Sequence, residues 1–319
     1  RAASPIRIST INRIDYSNET TSAPGNNLPS GRNGLAATQS SSHGYFHGGY
    51  DGSVQLATID RLDFSSETFS TPGSFPVGRN GLAACSSSSY GYFGGGINPA
   101  ASPIRISTIN RIDYSNETTS APGNNLPSGR NGLAATQSSS HGYFHGGYDG
   151  SVQLATIDRL DFSNETTSAP GNNLPQGRNG LAACSSSSYG YFGGGINPAA
   201  SPIRISTINR IDFSNETTSA PGNNLPQARN GLAATQSSSH GYFHGGYDGS
   251  VQLATIDRLD FSSETFSTPG SFPVGRNDLA AVSGGASYRI KGSRTYGYFG
   301  GGLIDTGPPN TNNVEFNTI

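Results

Sequence analysis

The stretch SSSHGYFHGGYDGSVQLATIDRLDFSSET, residues 40–68, joins an aromatic run closed by two glycines to a run whose apolar residues alternate. Almost the same letters return at residues 138–166 and 237–265. Read as a helix, it would set His43 and His47 one turn apart, where they share a zinc ion. Read as a strand, it sets them on one face about 13 Å apart, from four rises of roughly 3.3 Å, too far to chelate one metal. The flanking glycines favour the strand. His43/His47 and the twins His141/His145 and His240/His244 are therefore expected to pack or to hydrogen-bond between blades, with no metal site.

Working outward, SPIRISTINRID begins at Ser4, Ser102 and Ser201, a period of just under one hundred residues. Each period is itself double: STINRIDYSNET is echoed by ATIDRLDFSSET, and HGYFHGG by YGYFGGG, so the underlying unit is about 50 residues. Arg32, Arg79, Arg130, Arg178, Arg229 and Arg276, each before a run of small residues, count six units. One unit divides into four short strands. GLAAT (Gly34–Thr38) suits the crowded centre of a radial fold, HGYFHGG (His43–Gly49) comes second, TINRIDY (Thr10–Tyr16) alternates as a third, and TTSAP is a short outer strand stopped by proline. Gly, Ser, Asn and Pro clusters mark the junctions.

Four-stranded units repeated six times predict an all-β chain folded as one six-bladed β-propeller over residues 1–319. A stacked β-solenoid and two separate barrels are the alternatives. Odd blades carry His where even blades carry Tyr and Gly, so the ring should be pseudo-threefold, built from three double-blade repeats. The terminal NNVEFNTI resembles INRIDYSN, so the last blade is expected to be completed by pieces from both termini, tying down ends that would otherwise fray.

Composition agrees. The chain has 44 Gly, 19 Pro and only 13% charged residues, a turn-rich make-up unlike that of a helical protein. Its hydrophobic fraction of 32% is low, but the apolar residues recur in register, which indicates order. A net charge of −2, with Lys291 the only lysine, lacks the basic footprint of a nucleic-acid binder. No run approaches the roughly 18 apolar residues of a membrane span, and RAASPIRIS has no signal-peptide core; the missing initiator Met fits a mature or trimmed form. Cys85 and Cys184 occupy equivalent places in non-adjacent repeats and cannot meet in a disulfide. Val282 fills that place in the last copy, which points to small packing residues.

The order GG, INRIDYS, P-x-G-R-N-G-L-A-A and GYF-x-GG resembles the kelch repeat: a double glycine ending the second strand, an aromatic closing the third and an arginine before the innermost strand. The resemblance covers essentially the whole chain. It departs in having no tryptophan in the fourth strand, near which Thr21, Phe69 and Thr119 stand. YFGGG followed by TIDRLDFS is similar to tandem kelch-like repeats in structural proteins of marine cyanobacterial phages, which implies a virion structural or host-attachment role.

No G-x-S-x-G elbow, H-E-x-x-H or P-loop is present, so a non-enzymatic protein without cofactor is expected. The paired aspartates of IDRLD read as a surface charge ladder. If the strands run up, down, up and down, GGYDGSVQ and APGNNLPSGRNG emerge on one face. That face would collect Tyr50, Asp51, Asn26, Asn27, Arg32 and Asn33, with the counterparts Tyr148, Asp149, Arg130, Asn131, Tyr247, Asp248, Arg229 and Asn230. Asn and Asp match sugar hydroxyls, and a Tyr ring offers an apolar platform, although the same residues also serve as turn formers and braces. The expected function is a secreted, multivalent, lectin-like propeller for glycans or glycoconjugates, with three or six sites between blades. The alternative is a virion component that binds other virion proteins. An intracellular adaptor would bring an oligomerisation domain, for which no residues remain. On the opposite face lie TQSSSH and YSNETT, whose Asn18, Asn116, Asn164 and Asn215 form N-x-T sequons open to glycosylation on a secretory route. Blade six alone carries an insert, Ser283–Thr295, an interaction loop or plain drift.

Overall fold

The computed structural model describes residues 5–284 and 296–304. Six four-stranded antiparallel sheets stand in a ring, each packed through its first strand on the next, giving a six-bladed β-propeller. Blade one is Asn33–Gln39, His43–Tyr50, Thr58–Asp63 and Phe69–Ser74 from the axis outward. Blades two to five begin at Ala83–Ser86, Ala134–Gln137, Ala182–Ser185 and Ala233–Gln236. Blade six takes its two inner strands, Ala280–Gly284 and Tyr296–Gly300, from late in the chain and its two outer strands, Ile11–Asp15 and Thr21–Ser22, from early in it. A ribbon of Ile6–Arg7 on Leu303–Ile304 adds a second tie. The terminal NNVEFNTI, expected to supply a strand, and residues 285–295 of the blade-six insert lie outside the described residues.

The apolar residues of the alternating strands form six clusters, each between two neighbouring blades. Between blades six and one, for example, Phe46, Leu62 and Phe64 meet Ile11, Val282 and Tyr298. Stability is thus distributed over nearest-neighbour interfaces, as in other repeat architectures. Cys85 and Cys184 are free and buried. They lie against Gly142 and Gly241 of the next blade, as Val282 lies against Gly44, where an added Cβ would come within 2.9 Å of the valine methyl. Their small size is what the interface needs.

Two further sets of contacts run round the ring. Near the axis Gly34, Gly81, Gly132, Gly180, Gly231 and Asp278 form a closed circuit in which each amide donates to the carbonyl of the preceding member at 2.6–2.8 Å. All six have φ between 56° and 67°, ordinary for glycine and unusual for Asp278. On the opposite face, each turn after the third strand holds a glutamate at φ 54–59°. Glu117 of blade two accepts from Tyr45 Oη at 3.2 Å and Arg61 Nη1 at 2.8 Å in blade one. Glu19, Glu67, Glu165, Glu216 and Glu264 make the same reach to a Tyr and an Arg of the preceding blade. A left-handed conformation costs a non-glycine residue on the order of 1 kcal/mol, and this clasp holds it in place.

Candidate functional site

The arginine before each first strand is buried, and its partners differ between odd and even blades. Arg32, Arg130 and Arg229 are 0% exposed and ion-paired with Asp60, Asp158 and Asp257 of the third strand. The first aspartate of each odd IDRLD is therefore an interior counter-ion, which corrects the reading of that motif as a surface ladder. In even blades the third strand offers asparagine instead. Arg79 donates to Asn110 Oδ1 at 2.9 Å and to the carbonyls of Thr108, Gly95 and Phe93 at 2.9–3.1 Å. Arg178 and Arg276 repeat this with Asn209 and Asn12. Removal from water lowers Arg79, Arg178 and Arg276 to about 10, still cationic at neutral pH. Arg32, Arg130 and Arg229, expected to face a ligand, face the blade interior.

The histidines follow the same alternation. His47, His145 and His244 are buried in odd blades at the place of Gly94, Gly193 and Gly300. His47 stacks edge-on against Phe75 and Phe93. Desolvation, with neighbouring arginines, pushes all three imidazoles well below their ordinary pKa, so they are neutral packing groups. His43, His141 and His240 stay half-buried beside Asp63, Asp161 and Asp260 at 3.4–3.7 Å. Among the described residues no cluster of three metal-ligating side chains forms.

The residues that come together on a solvent-facing surface are Tyr50, Asn33 and Asp51, with a fourth that sequence reasoning passed over, Arg7. Asn33 pairs with Tyr50 across the first two strands, as Asn131 does with Tyr148 and Asn230 with Tyr247. From the neighbouring even blade Arg7 crosses over, held by the Ile6–Arg7 ribbon, and its Nε donates to Asn33 Oδ1 at 3.0 Å. Its guanidinium lies 4.6 Å from the centre of the Tyr50 ring, a cation–π stack. Arg105 with Asn131 and Tyr148, and Arg204 with Asn230 and Tyr247, repeat the arrangement at 2.8–2.9 Å and 4.7 Å. The Tyr50 hydroxyl donates to the Gly52 carbonyl at 2.7 Å. Asp51 Oδ1 accepts from the Ser53 and Val54 amides at 2.7 and 2.8 Å, and these bonds hold its carboxyl below the usual range. Gly52, at φ 110°, leaves the space that Arg7 Nη1 occupies, 3.3 Å from where a Cβ would stand.

Among the described residues no hydrogen bond joins Asn26 or Asn27 to this group. The chain after Thr21–Ser22 continues alongside the third strand, so Asn27 Oδ1 accepts from the Ile11 amide at 3.1 Å and Leu28 enters the core. Asn26 is exposed. The sequon asparagines Asn18, Asn116, Asn164 and Asn215 are exposed, each capping its own turn by accepting from the threonine two residues on. The signal that would have found Arg7 is the alternation of PIRIS with SVQLA, which puts Arg105 and Arg204 in even blades at the place that Gln55, Gln153 and Gln252 hold in odd blades.

Compared with models of known protein families and with curated proteins, the chain matches none.

Proposed function

We propose that this chain is a non-enzymatic, multivalent carbohydrate-binding propeller of the kelch type, acting outside the cell through three equivalent sites. The observation that carries the reading is the cluster of Arg, Tyr, Asn and Asp at Arg7, Arg105 and Arg204, repeated at every second blade junction on one face. It offers donors on the guanidinium and a second carboxylate oxygen on Asp51 and Asp149, the pairing that vicinal sugar hydroxyls require, whereas Asp248 Oδ2 accepts from Gln227 Nε2 at 2.7 Å. Three weak sites on one rigid ring raise avidity by about 10² to 10⁴ on a clustered glycan surface. The kelch reading rests on the glycine pairs at positive φ, which follow directly on the second strand at Gly95–Gly96, Gly146–Gly147, Gly194–Gly195, Gly245–Gly246 and Gly301–Gly302 and lie near its end at Gly48–Gly49, and on the buried arginine before each first strand.

A glycan array with the whole chain, followed by calorimetry, tests this. About three sugars bound per chain, lost in the triple variant Tyr50→Ala, Tyr148→Ala, Tyr247→Ala, is the expected result. A silent array with folded protein rejects it. The second reading, a virion structural or host-attachment protein, is favoured by a different observation. Ile6, Val54, Ile104, Val152, Ile203 and Val251 are 43–55% exposed, one per blade, in the loops between second and third strands. Such a ring of aliphatic side chains suits protein contacts.

A further inference from the structure

The arginines of the described residues fall into three groups. Six are buried within blades, and six are clasped to Glu between blades. The remaining three, Arg7, Arg105 and Arg204, have no carboxylate ion pair among the described residues, and the only side-chain hydrogen bond each makes there runs through Nε to asparagine. In each, the Nε bond and the tyrosine ring hold the guanidinium, while Nη1 and Nη2 have no hydrogen-bond partner among the described residues. A guanidinium presenting its two terminal nitrogens in a fixed plane matches the two oxygens of a carboxylate, and the ordering cost of the side chain is already met in the free protein. On either side stand exposed aliphatic groups, Ile6 next to Arg7 and Val54 in the loop of Asp51, suited to the C–H faces of a sugar ring.

Resting on the glycan reading, we infer that the ligand is an acidic glycan, whose uronate or sialate carboxylate is bound end-on by the Nη1/Nη2 fork of Arg7, Arg105 and Arg204. Asp51, Asp149 and Asp248 then act against binding, because each places a negative charge near the fork while its Oδ1 is committed to its own turn. A neutral sugar would have the opposite requirement, since it would donate a hydroxyl to that carboxylate. The sign of the aspartate effect therefore distinguishes the two ligand classes.

The experiment is an array of uronate- and sialate-bearing oligosaccharides beside the same oligosaccharides with methyl-esterified carboxyls, probed with the whole chain at low and moderate salt. The expected result is binding to the free acids at least about tenfold tighter than to the esters, weakening with salt. On the best free-acid hit, the triple change Arg7→Lys, Arg105→Lys, Arg204→Lys keeps the charge but loses the fork, and should cost at least about tenfold in protein that a melting curve shows to be folded at the assay temperature. The triple change Asp51→Asn, Asp149→Asn, Asp248→Asn keeps the Oδ1 acceptor and should tighten binding severalfold. Equal binding of acid and ester, or weaker binding on removing the aspartates, overturns the inference and leaves the glycan reading standing. Silence on both halves of the array and on neutral glycans rejects the glycan reading and this inference together.

Discussion

An odd blade and the even blade beside it each bury one guanidinium at the same place and balance it differently. In blade one, Arg32 meets the full charge of Asp60, itself held by Thr71 Oγ1 at 2.7 Å, and a neutral His47 fills the space nearby. In blade two, Arg79 meets only dipoles: three backbone carbonyls and the amide oxygen of Asn110. The lesson is that a repeat can conserve shape while exchanging a charge pair for a set of dipoles. The odd solution concentrates the balance in one residue, whereas the even one spreads it over four acceptors.

The largest effect should come from breaking that balance on each side. Asp60→Ala leaves a buried guanidinium without its counter-ion and is expected to destabilise by about 3–5 kcal/mol. Asn110→Ala leaves Arg79 its three carbonyls and is expected to cost about 1–2 kcal/mol. Urea unfolding of the two variants measures the difference; equal losses would show that the carboxylate is not what the odd arginine depends on.

Acid should expose the second difference, because only odd blades bury histidine. The folded pKa of His47, His145 and His244 is depressed, so below about pH 6.5 the unfolded chain takes up protons that the folded one refuses. Stability is fully present above that pH and falls as pH drops, by about 1.4 kcal/mol per pH unit for each histidine. Replacing all three with Gln should flatten most of that slope in unfolding curves taken between pH 7 and pH 5.

A smaller effect is expected at Asp278, where blade six departs from the five glycines. Desolvation raises its carboxyl to about 6, so its charge opposes folding at neutral pH and ceases to do so once both states are protonated, below about pH 4. Asp278→Gly should stabilise by about 2–3 kcal/mol at pH 7.5, by removing the charge and the strained φ, and by much less at pH 4. A gain that does not shrink in acid would assign the whole effect to the backbone.

The smallest predicted difference compares two substitutions at one clasp. Glu117→Ala leaves the Tyr45 hydroxyl without its acceptor and keeps an alanine at φ 59°, for a loss of about 1–2 kcal/mol. Glu117→Gly loses the same bonds but relieves the backbone, and should be about 1 kcal/mol milder in the same unfolding assay. No difference between them would remove backbone strain from the account of the clasp.

The blades were legible because strand alternation and paired glycines are local signals, and six copies of TIDRLDFS-like phrases repeat them. The residues that tie blades together were not, because their partners lie a whole repeat away. Glu117 looks like a solubilising turn residue until Tyr45 and Arg61 are beside it, although its constancy through SNETT and SSETF, where neighbours vary, was a usable mark. Asp60 sits in the same five letters as Asp63, yet one is buried against Arg32 and the other half-exposed in its own turn; alternation alone does not say which face of a third strand meets a guanidinium. Of the candidate ligand group, Tyr50, Asn33 and Asp51 were found from loop order, and Arg7 was missed because it arrives from the neighbouring blade.

The circuit of amides round the axis has a sense of rotation, since every N–H points to the preceding blade. Peptide dipoles stacked in a helix add to a positive and a negative pole, but the components of dipoles arranged head to tail round a closed loop cancel in the plane of that loop. Each residue of the loop donates through its amide and accepts through its carbonyl, so the circuit has no end at which an unpaired donor or acceptor is left. Six converging strands therefore leave no frayed backbone group in that loop, and the carboxyl of Asp278 is the one ionisable side chain set into it.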